Sequence, residues 1–535
     1  YNMTIHANFG QDSTFAGLKT AGGNTDANGI GDFAYAVPTG AKALCSANLP
    51  DPTILLPNEH FNTLLYSGDG SGTRSITGVG FKPDWVWIKG RNTNYSHLVY
   101  NSVIGAASGK GLNTNEDRAE GSAVADNTTF GFVSSFDSDG FSIVKGSDST
   151  SYTNGGSSNY VSWNWNAGDT DSKTYTVKVV SDSGNKYRFD DFGTSAVTLD
   201  LAEGGTYTFD QSDSSMSSHP MQLSTTANGT HGGGSAYSTG VTYELDGSTV
   251  TASAFISGFS SASSRKLIIT VAASAPTLYY YCYYHSGMGG AVNTNSSLGS
   301  SNFEGNTQAK VKTNTTAGFS IISWTARGNS SGTYDTFGHG LGVRPDWLIL
   351  KSRNQAGNWN VYNSNFDSAN NKILQLSNTI SETTSSNYWG ANNTTPSSTL
   401  VNVNQGNYAN SASHTFIMYA FSAVEGYSKF GKYRGNGNAD GTFIYTGFRP
   451  AWLLVKLSSG DNWYMVDNKR DPFNVMDHRL FADVSSSEGG VGQEHVDFLS
   501  NGFKWRKQKA PFNNDGNTYY YFAFAKSPFK NSRAR

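Results

Sequence analysis

Phe81-Lys82-Pro83-Asp84-Trp85-Val86-Trp87-Ile88-Lys89 is written twice more in this chain. It returns as Val343-Arg344-Pro345-Asp346-Trp347-Leu348-Ile349-Leu350-Lys351 and as Phe448-Arg449-Pro450-Ala451-Trp452-Leu453-Leu454-Val455-Lys456. Self-similarity of this kind sets the number of modules before any other reading. In each copy Pro stands just ahead of an apolar run, where its missing N–H does no harm to a strand. Apolar residues fall near both faces of the run, as a core strand requires. The line therefore reads as a corner and a core strand: Pro turns, Asp caps where it is present, and Trp fills a core. Its Lys and Asp are expected at the surface, at the strand ends. A ligand platform in three copies is the alternative use of the same residues, and Ala451 in the third copy argues against a ligand role for the Asp.

Flanking segments repeat with the line. Lead-ins at Ser75–Gly80 and Phe443–Gly447 read as strands, and the one at Phe337–Gly342 is weaker. Phe136-Asp137-Ser138-Asp139-Gly140-Phe141 matches Phe498-Leu499-Ser500-Asn501-Gly502-Phe503, and Asp-Gly and Asn-Gly predict two-residue hairpin turns. The second copy has the looser Asn402-Val403-Asn404-Gln405-Gly406 there. Each copy closes on an aromatic strand, at Tyr160–Trp165, Thr415–Phe421 and Tyr519–Phe524. From corner to closing strand is about 70 to 80 residues, the size of one small sandwich.

Composition agrees with an all-β chain. Gly is 60 of 535 residues, aromatics are 13% and charged residues only 15%. Asn, Ser and Thr abound, as in extracellular or virion proteins rich in tight turns. The net charge of −3 and the lack of a Lys/Arg cluster speak against nucleic-acid binding. No run of 18 apolar residues exists, so no helical membrane span is expected. The chain starts at Tyr1 without a signal peptide, which reads as a mature or trimmed product or as the end of a longer chain. Cys45 and Cys282 fall in different modules, so no disulfide is expected. No helical period exceeds two turns, and Asp367–Leu376 is at most one short helix. Asp467, Asp471 and Asp477 read as solvated loop residues. No Gly-x-Ser-x-Gly, His-Glu-x-x-His, Walker or Cys-x-x-Cys motif occurs, although a dispersed glycosidase carboxylate pair would leave no motif.

Residues 172–296 have a different texture. Short strands are expected at Lys173–Val180, Val197–Leu201, Thr206–Asp210, Leu267–Ala272 and Leu278–Tyr281. The last leads into Cys282-Tyr283-Tyr284-His285-Ser286-Gly287-Met288, and His219 stands upstream in Ser217-Ser218-His219-Pro220-Met221. A thiolate and two imidazoles with a weak axial Met form the ligand set of a blue-copper site. A tight loop lets three ligands converge from one strand end, and His219 adds a fourth side. His231 competes as a ligand, and a loop role fits it better.

These residues resemble the cupredoxin family in the order and spacing of the ligands. The resemblance implies a Greek-key sandwich and a copper site with His219, Cys282 and His285 as strong ligands and Met288 axial. The opening segment, through Asn8-Phe9-Gly10-Gln11, Pro38-Thr39-Gly40 and Ala43-Leu44-Cys45, resembles the C-terminal end of a SPRY-type, lectin-like sandwich. Its strands would close a domain begun elsewhere. The repeats, through Gly80-Phe81-Lys82-Pro83-Asp84-Trp85, Phe443-Ile444-Tyr445-Thr446-Gly447-Phe448-Arg449-Pro450 and Glu425-Gly426-Tyr427-Ser428-Lys429-Phe430-Gly431, resemble modules of tailed-bacteriophage structural proteins, especially marine ones. That implies a non-enzymatic virion tail or fibre component. Its partners would be other virion subunits, including further copies of itself, and a host-surface glycan or protein. The alternatives are a blue-copper electron-transfer protein and a tail-spike polysaccharide depolymerase. The expected division is 1–61 SPRY-like, 62–171 first sandwich, 172–296 cupredoxin-like insert, 297–426 second sandwich and 427–535 third.

Overall fold

The computed structural model describes residues 7–122, 128–168, 171–294, 297–328, 333–366, 372–385, 388–389, 396–404, 412–489, 492 and 495–531. It is all-β, and among these residues the α-helices are two short ones, Ala252–Gly258 and Ala510–Asn513. Each Trp line forms the middle of a sheet. Trp85–Gly90 lies between Asn159–Trp165 and Leu98–Asn101. Trp347–Ser352 lies between Thr415–Phe421 and Asn360–Asn363. Phe448–Leu457 lies between Thr518–Pro528 and Trp463–Asp467. Smaller sheets hold the three lead-ins. They are Thr73–Thr77 with Gly140–Val144 and Phe132–Asp137, Tyr334–Gly338 with Leu400–Asn404, and Phe443–Tyr445 with Gly502–Trp505 and Val496–Leu499. In the second copy the strand starts earlier than the expected lead-in and covers only Phe337 and Gly338 of Phe337–Gly342.

The two matching hairpins form one residue out of the expected register. Asp137 pairs with Gly140 and Leu499 with Gly502, so the turn residues are Ser138-Asp139 and Ser500-Asn501. Glycine serves the strand instead. A Cβ on Gly140 would lie 2.0 Å from the Ile76 carbonyl oxygen, and one on Gly502 2.1 Å from that of Ile444. The counterpart in the second copy is a strand, Leu400–Asn404, whose continuation through Gly406 lies outside the described residues. At Asp367–Leu376, where at most one short helix is expected, the described part is not helical. Residues 367–371 lie outside the described set, and Lys372–Gln375 is a strand drawn into pairing by Asn360 and Val361.

Both faces of the Trp strand are buried, for two different reasons. Val86 and Ile88 pack inside the first sandwich with Ile76, Phe141 and Ile143. Trp85 and Trp87 face the other way, into a core shared by all three copies. The contacts there run in one cyclic order. Trp85 stacks on Tyr419 of the second copy at 4.4 Å between centroids, and Trp347 meets Phe522 of the third at 4.3 Å. Trp452 meets Trp165 of the first edge-on at 5.8 Å.

Polar contacts close the same ring in the opposite sense. Four residues before the end of the strand following each Trp line stand His97, Trp359 and Trp463. The Trp359 indole N–H donates to the Asn113 carbonyl at 2.7 Å, and that of Trp463 to the Gln375 carbonyl at 2.8 Å. His97 Nε2 lies 2.7 Å from the Phe481 carbonyl. Three glutamates clasp the seams. The backbone N–H groups of Glu120, Glu382 and Glu488 donate to the carbonyls of Arg353, Ser458 and Arg91 at 2.6, 2.7 and 2.6 Å. The first and last also bind those arginines through their carboxylates. Head-to-tail contacts that close after three copies form a ring.

Lys82 and Arg344 are exposed, but Asp84 and the strand-end lysines of the line are not at the surface. Asp84 is 2% exposed and Lys89, Lys351 and Lys456 are 0%. The lysines lie under the seams because their ammonium groups tie down loop carbonyls. Lys89 donates to Gly90 and Thr93, Lys351 to Asp117 and Gly357, and Lys456 to Asp461. Asp84 accepts from Ser102 Oγ at 2.6 Å and the Ala167 N–H at 2.7 Å, while Asp346 takes Ser364 and Ala423, both at 2.8 Å. Where Ala451 stands instead, the strand continues through the proline with register shifts. Asp467 and Asp471 are buried as well, contrary to the solvated-loop expectation. Asp467 binds Arg470 at 2.6 Å and the Trp163 indole N–H at 3.1 Å, and Asp471 accepts the backbone N–H groups of Asp477 and His478.

Between the first two copies, residues 172–293 fold as a separate sandwich. One sheet runs Leu199–Asp200, Gly290–Asn293, Leu278–Cys282, Met221–Ser224. The other runs Ser248–Val250, Val241–Leu245, Arg265–Thr270, Thr206–Asp210, Ser172–Ser181, Asn185–Phe189. Tyr175, Phe189, Phe209, Leu267, Tyr280 and Val292 fill the space between them. Its two ends meet where Asp171 accepts the Gly299 N–H at 3.0 Å. The opening segment forms no sandwich strands among the described residues. It has two 3-10 turns, Ser46–Asn48 and Pro57–Glu59, and one isolated bridge, Asn24 to Phe33. Side chains take the backbone groups that a ladder would use: Asp26 accepts from Asn28, Ile30 and Ala43.

Candidate metal centre

Met221 pairs opposite Cys282 across an antiparallel ladder. That register sets the segment before Met221 beside the loop after Cys282. The His219 N–H donates to the Met216 carbonyl at 2.8 Å, and the Tyr283 N–H to the Pro220 carbonyl at 3.0 Å. The Tyr187 hydroxyl donates to the His219 carbonyl at 2.9 Å. His219 is thus fixed by its main chain before any ligand is considered.

The loop is held equally firmly. The Gly287 N–H donates to Asn228 Oδ1 at 2.8 Å, and Lys186 donates to the Gly287 carbonyl. Gly289 is needed because a Cβ there would lie 1.7 Å from the Tyr280 oxygen. His231 Nε2 lies 3.1 Å from the Cys282 carbonyl, so it holds the main chain of Cys282 and stands outside the donor cluster.

Three of the four expected ligands come together. Cys282 Sγ lies 3.9 Å from His219 Nδ1 and 3.6 Å from His285 Nδ1, and all three donor atoms lie within 4.8 Å of one another. Metal–donor bonds of about 2.0–2.3 Å put neighbouring donors roughly 3.3–3.8 Å apart, a spacing that Cys282 and His285 already have and that Cys282 and His219 slightly exceed. Met288 is 1% exposed and shares the core cluster of Cys282. Cys282 is fully buried and unpaired by any disulfide, as is the exposed Cys45. Burial, and next the adjacent His285, hold His219 below the usual histidine range. A neutral imidazole is the form a metal binds. The site opens at one edge, where His285 is exposed beside Tyr283 and Tyr284, themselves 40% and 52% exposed.

The seam residues His97, Trp359, Trp463, Glu120, Glu382 and Glu488 escaped the sequence reading. Their near-equal offsets of 12, 12 and 11 residues from Trp85, Trp347 and Trp452 were the available signal for the first trio.

Comparison with curated proteins gives no match. A family match covers the repeats and leaves out 189–291, the stretch that holds His219, Cys282, His285 and Met288. Matching over residues 56–188 and 292–528, more than half of its length, the chain belongs to the family described as Domain of unknown function (DUF7483).

Proposed function

We propose that this chain is a non-enzymatic structural protein of a virion, of the tail or fibre kind, built as a closed ring of three sandwiches that displays an inserted module. The ring closure carries this reading. Three seams with equivalent contacts make one stiff body, and its outer loops are left to meet neighbouring subunits and a host-surface glycan or protein. Antibodies against the chain, applied to particles of the virus that encodes it, should label tails or fibres. Label confined to material that is not particle-bound would overturn the reading.

The donor cluster favours a second role for the insert, as a cupredoxin-like copper module. Cys282, His219 and His285 would hold the ion, with the buried Met288 of the same loop as a further, weak ligand. Bound copper would supply one-electron transfer. The chain's own residues supply a neutral His219, a thiol shielded from water and a loop anchored through Asn228 and Lys186, which limits rearrangement. Titration with Cu(II) should raise a thiolate-to-copper absorbance band that Cys282→Ala abolishes. No band in the wild-type protein would overturn it.

A further inference from the structure

A second buried cluster lies at the root of the insert, where three modules meet. Lys312 comes from Ala309–Asn314, on the edge hairpin of the second copy. Its side chain is 2% exposed, and its ammonium makes no hydrogen bond among the described residues. Instead it stands 3.9 Å from Asp84 Oδ1 and 4.0 Å from Asp171 Oδ1, with those side chains 2% and 10% exposed. A buried ammonium normally takes hydrogen bonds within about 3 Å. This one faces two carboxylates across van der Waals distance.

The second copy supplies an internal control. Asp346 caps its corner with the same two donors that Asp84 uses, a serine hydroxyl and a backbone N–H, and among the described residues no cation pairs with it. The corner is therefore complete without a lysine. Lys312 and Asp171 are surplus to it.

We propose that Lys312 and Asp84 form an intramolecular amide bond, with Asp171 as the proton carrier. The Lys312 ammonium gives a proton to the Asp171 carboxylate. The neutral Nζ then attacks Cγ of the protonated Asp84 carboxyl, forming the N–C bond. Oδ2, gripped by the Ala167 N–H at 2.7 Å, carries the developing negative charge. Oδ1 takes the proton back from Asp171 and leaves as water as the C–O bond breaks. The nitrogen's second proton passes to Asp171, so an ammonium and a protonated carboxyl become one amide and one water, and Asp171 ends holding the released proton.

The surroundings favour a protonated Asp84 and a proton-accepting Asp171. Burial pushes Asp84 up to about 6, and burial raises Asp171 as well. Asp171 is itself positioned by the Gly299 N–H at 3.0 Å and the Tyr207 hydroxyl at 3.4 Å, both on Oδ2, which leaves Oδ1 toward the lysine. The product would tie the corner of the first copy to the edge of the second, enclosing the whole insert in a covalent loop.

Mass spectrometry of the denatured full-length chain tests this. The expected mass is lighter than the sequence by one water, and digestion should yield a branched peptide joining the segments that contain Asp84 and Lys312. Lys312→Arg should restore the full mass, and Asp171→Asn should leave most chains unlinked while the protein keeps its thermal transition. A wild-type chain at full mass, or a lost water with no branched peptide, would overturn the proposal. Both wild-type readings stand even if a variant fails to fold.

Discussion

Replacing Trp85 by Ala strikes the point where the first copy meets the second. Trp85 is fully buried, with Trp165 at 4.3 Å, Tyr419 at 4.4 Å and Phe421 at 5.9 Å between ring centroids. Emptying such a site costs about 3–5 kcal/mol in lost transfer energy and residual cavity. At about 1.4 kcal/mol per factor of ten, global opening becomes roughly 150- to 4000-fold more frequent. Where that loss is felt separates a ring from three independent sandwiches. In a ring with one shared core, amides of the third copy in Phe448–Leu457 and Trp463–Asp467 lose protection together with those of the first. Amides of the insert's own core, such as Arg265–Thr270, stay protected. Native-state hydrogen exchange read peptide by peptide measures this. If exchange accelerates only within residues 62–171, the shared-core reasoning fails.

Stability should depend on pH through the buried lysines of the repeated line. Burial holds Lys89 and Lys351 down to about 7 and Lys456 to about 8, against 10.5 when unfolded, so the unfolded chain binds more protons and stability rises from pH 7 toward 10.5. Asp483, pushed up to about 6 from 3.8 by burial, acts oppositely, and stability falls as pH rises from 3.8 to 6. Denaturant midpoints should therefore pass through a minimum between pH 6 and 7, and a fall from pH 7 to about 9.5 would contradict this. Trp359→Phe, which takes the donor from the buried Asn113 carbonyl, should cost about 1–3 kcal/mol by chemical denaturation. An unchanged midpoint would show that this seam bond contributes nothing. Copper at a hundredfold excess over Kd should add about 2.7 kcal/mol to the insert's transition alone, and calorimetry showing every transition shifted would deny the insert its independence.

Local chemistry was legible where one residue type has one job. Proline before an apolar run marked the corner, Asp-Gly and Asn-Gly marked hairpins, and the order of Cys282, His285 and Met288 with His219 upstream marked the donor cluster. The hairpin register was missed because Gly140 and Gly502 are there for a crossing strand, a contact that no local pattern records. The lysines were misplaced for a similar reason. A Lys at a strand end is ordinarily solvated, and Lys351 is tolerable inside because its own loop offers the Gly357 carbonyl and the neighbouring copy offers that of Asp117. In the opening segment the resemblance suggested strands, yet Asp26 and its neighbours satisfy the backbone through side chains. Alternation along Trp85-Val86-Trp87-Ile88 did announce two buried faces. What it left open was that the second face belongs to the other two copies.

The metal content of the protein purified from its native source, without added metal, tests the candidate site most directly. One equivalent of copper per chain, lost in Cys282→Ala, is the expected result. Native protein free of copper that also takes up none from solution would contradict the account.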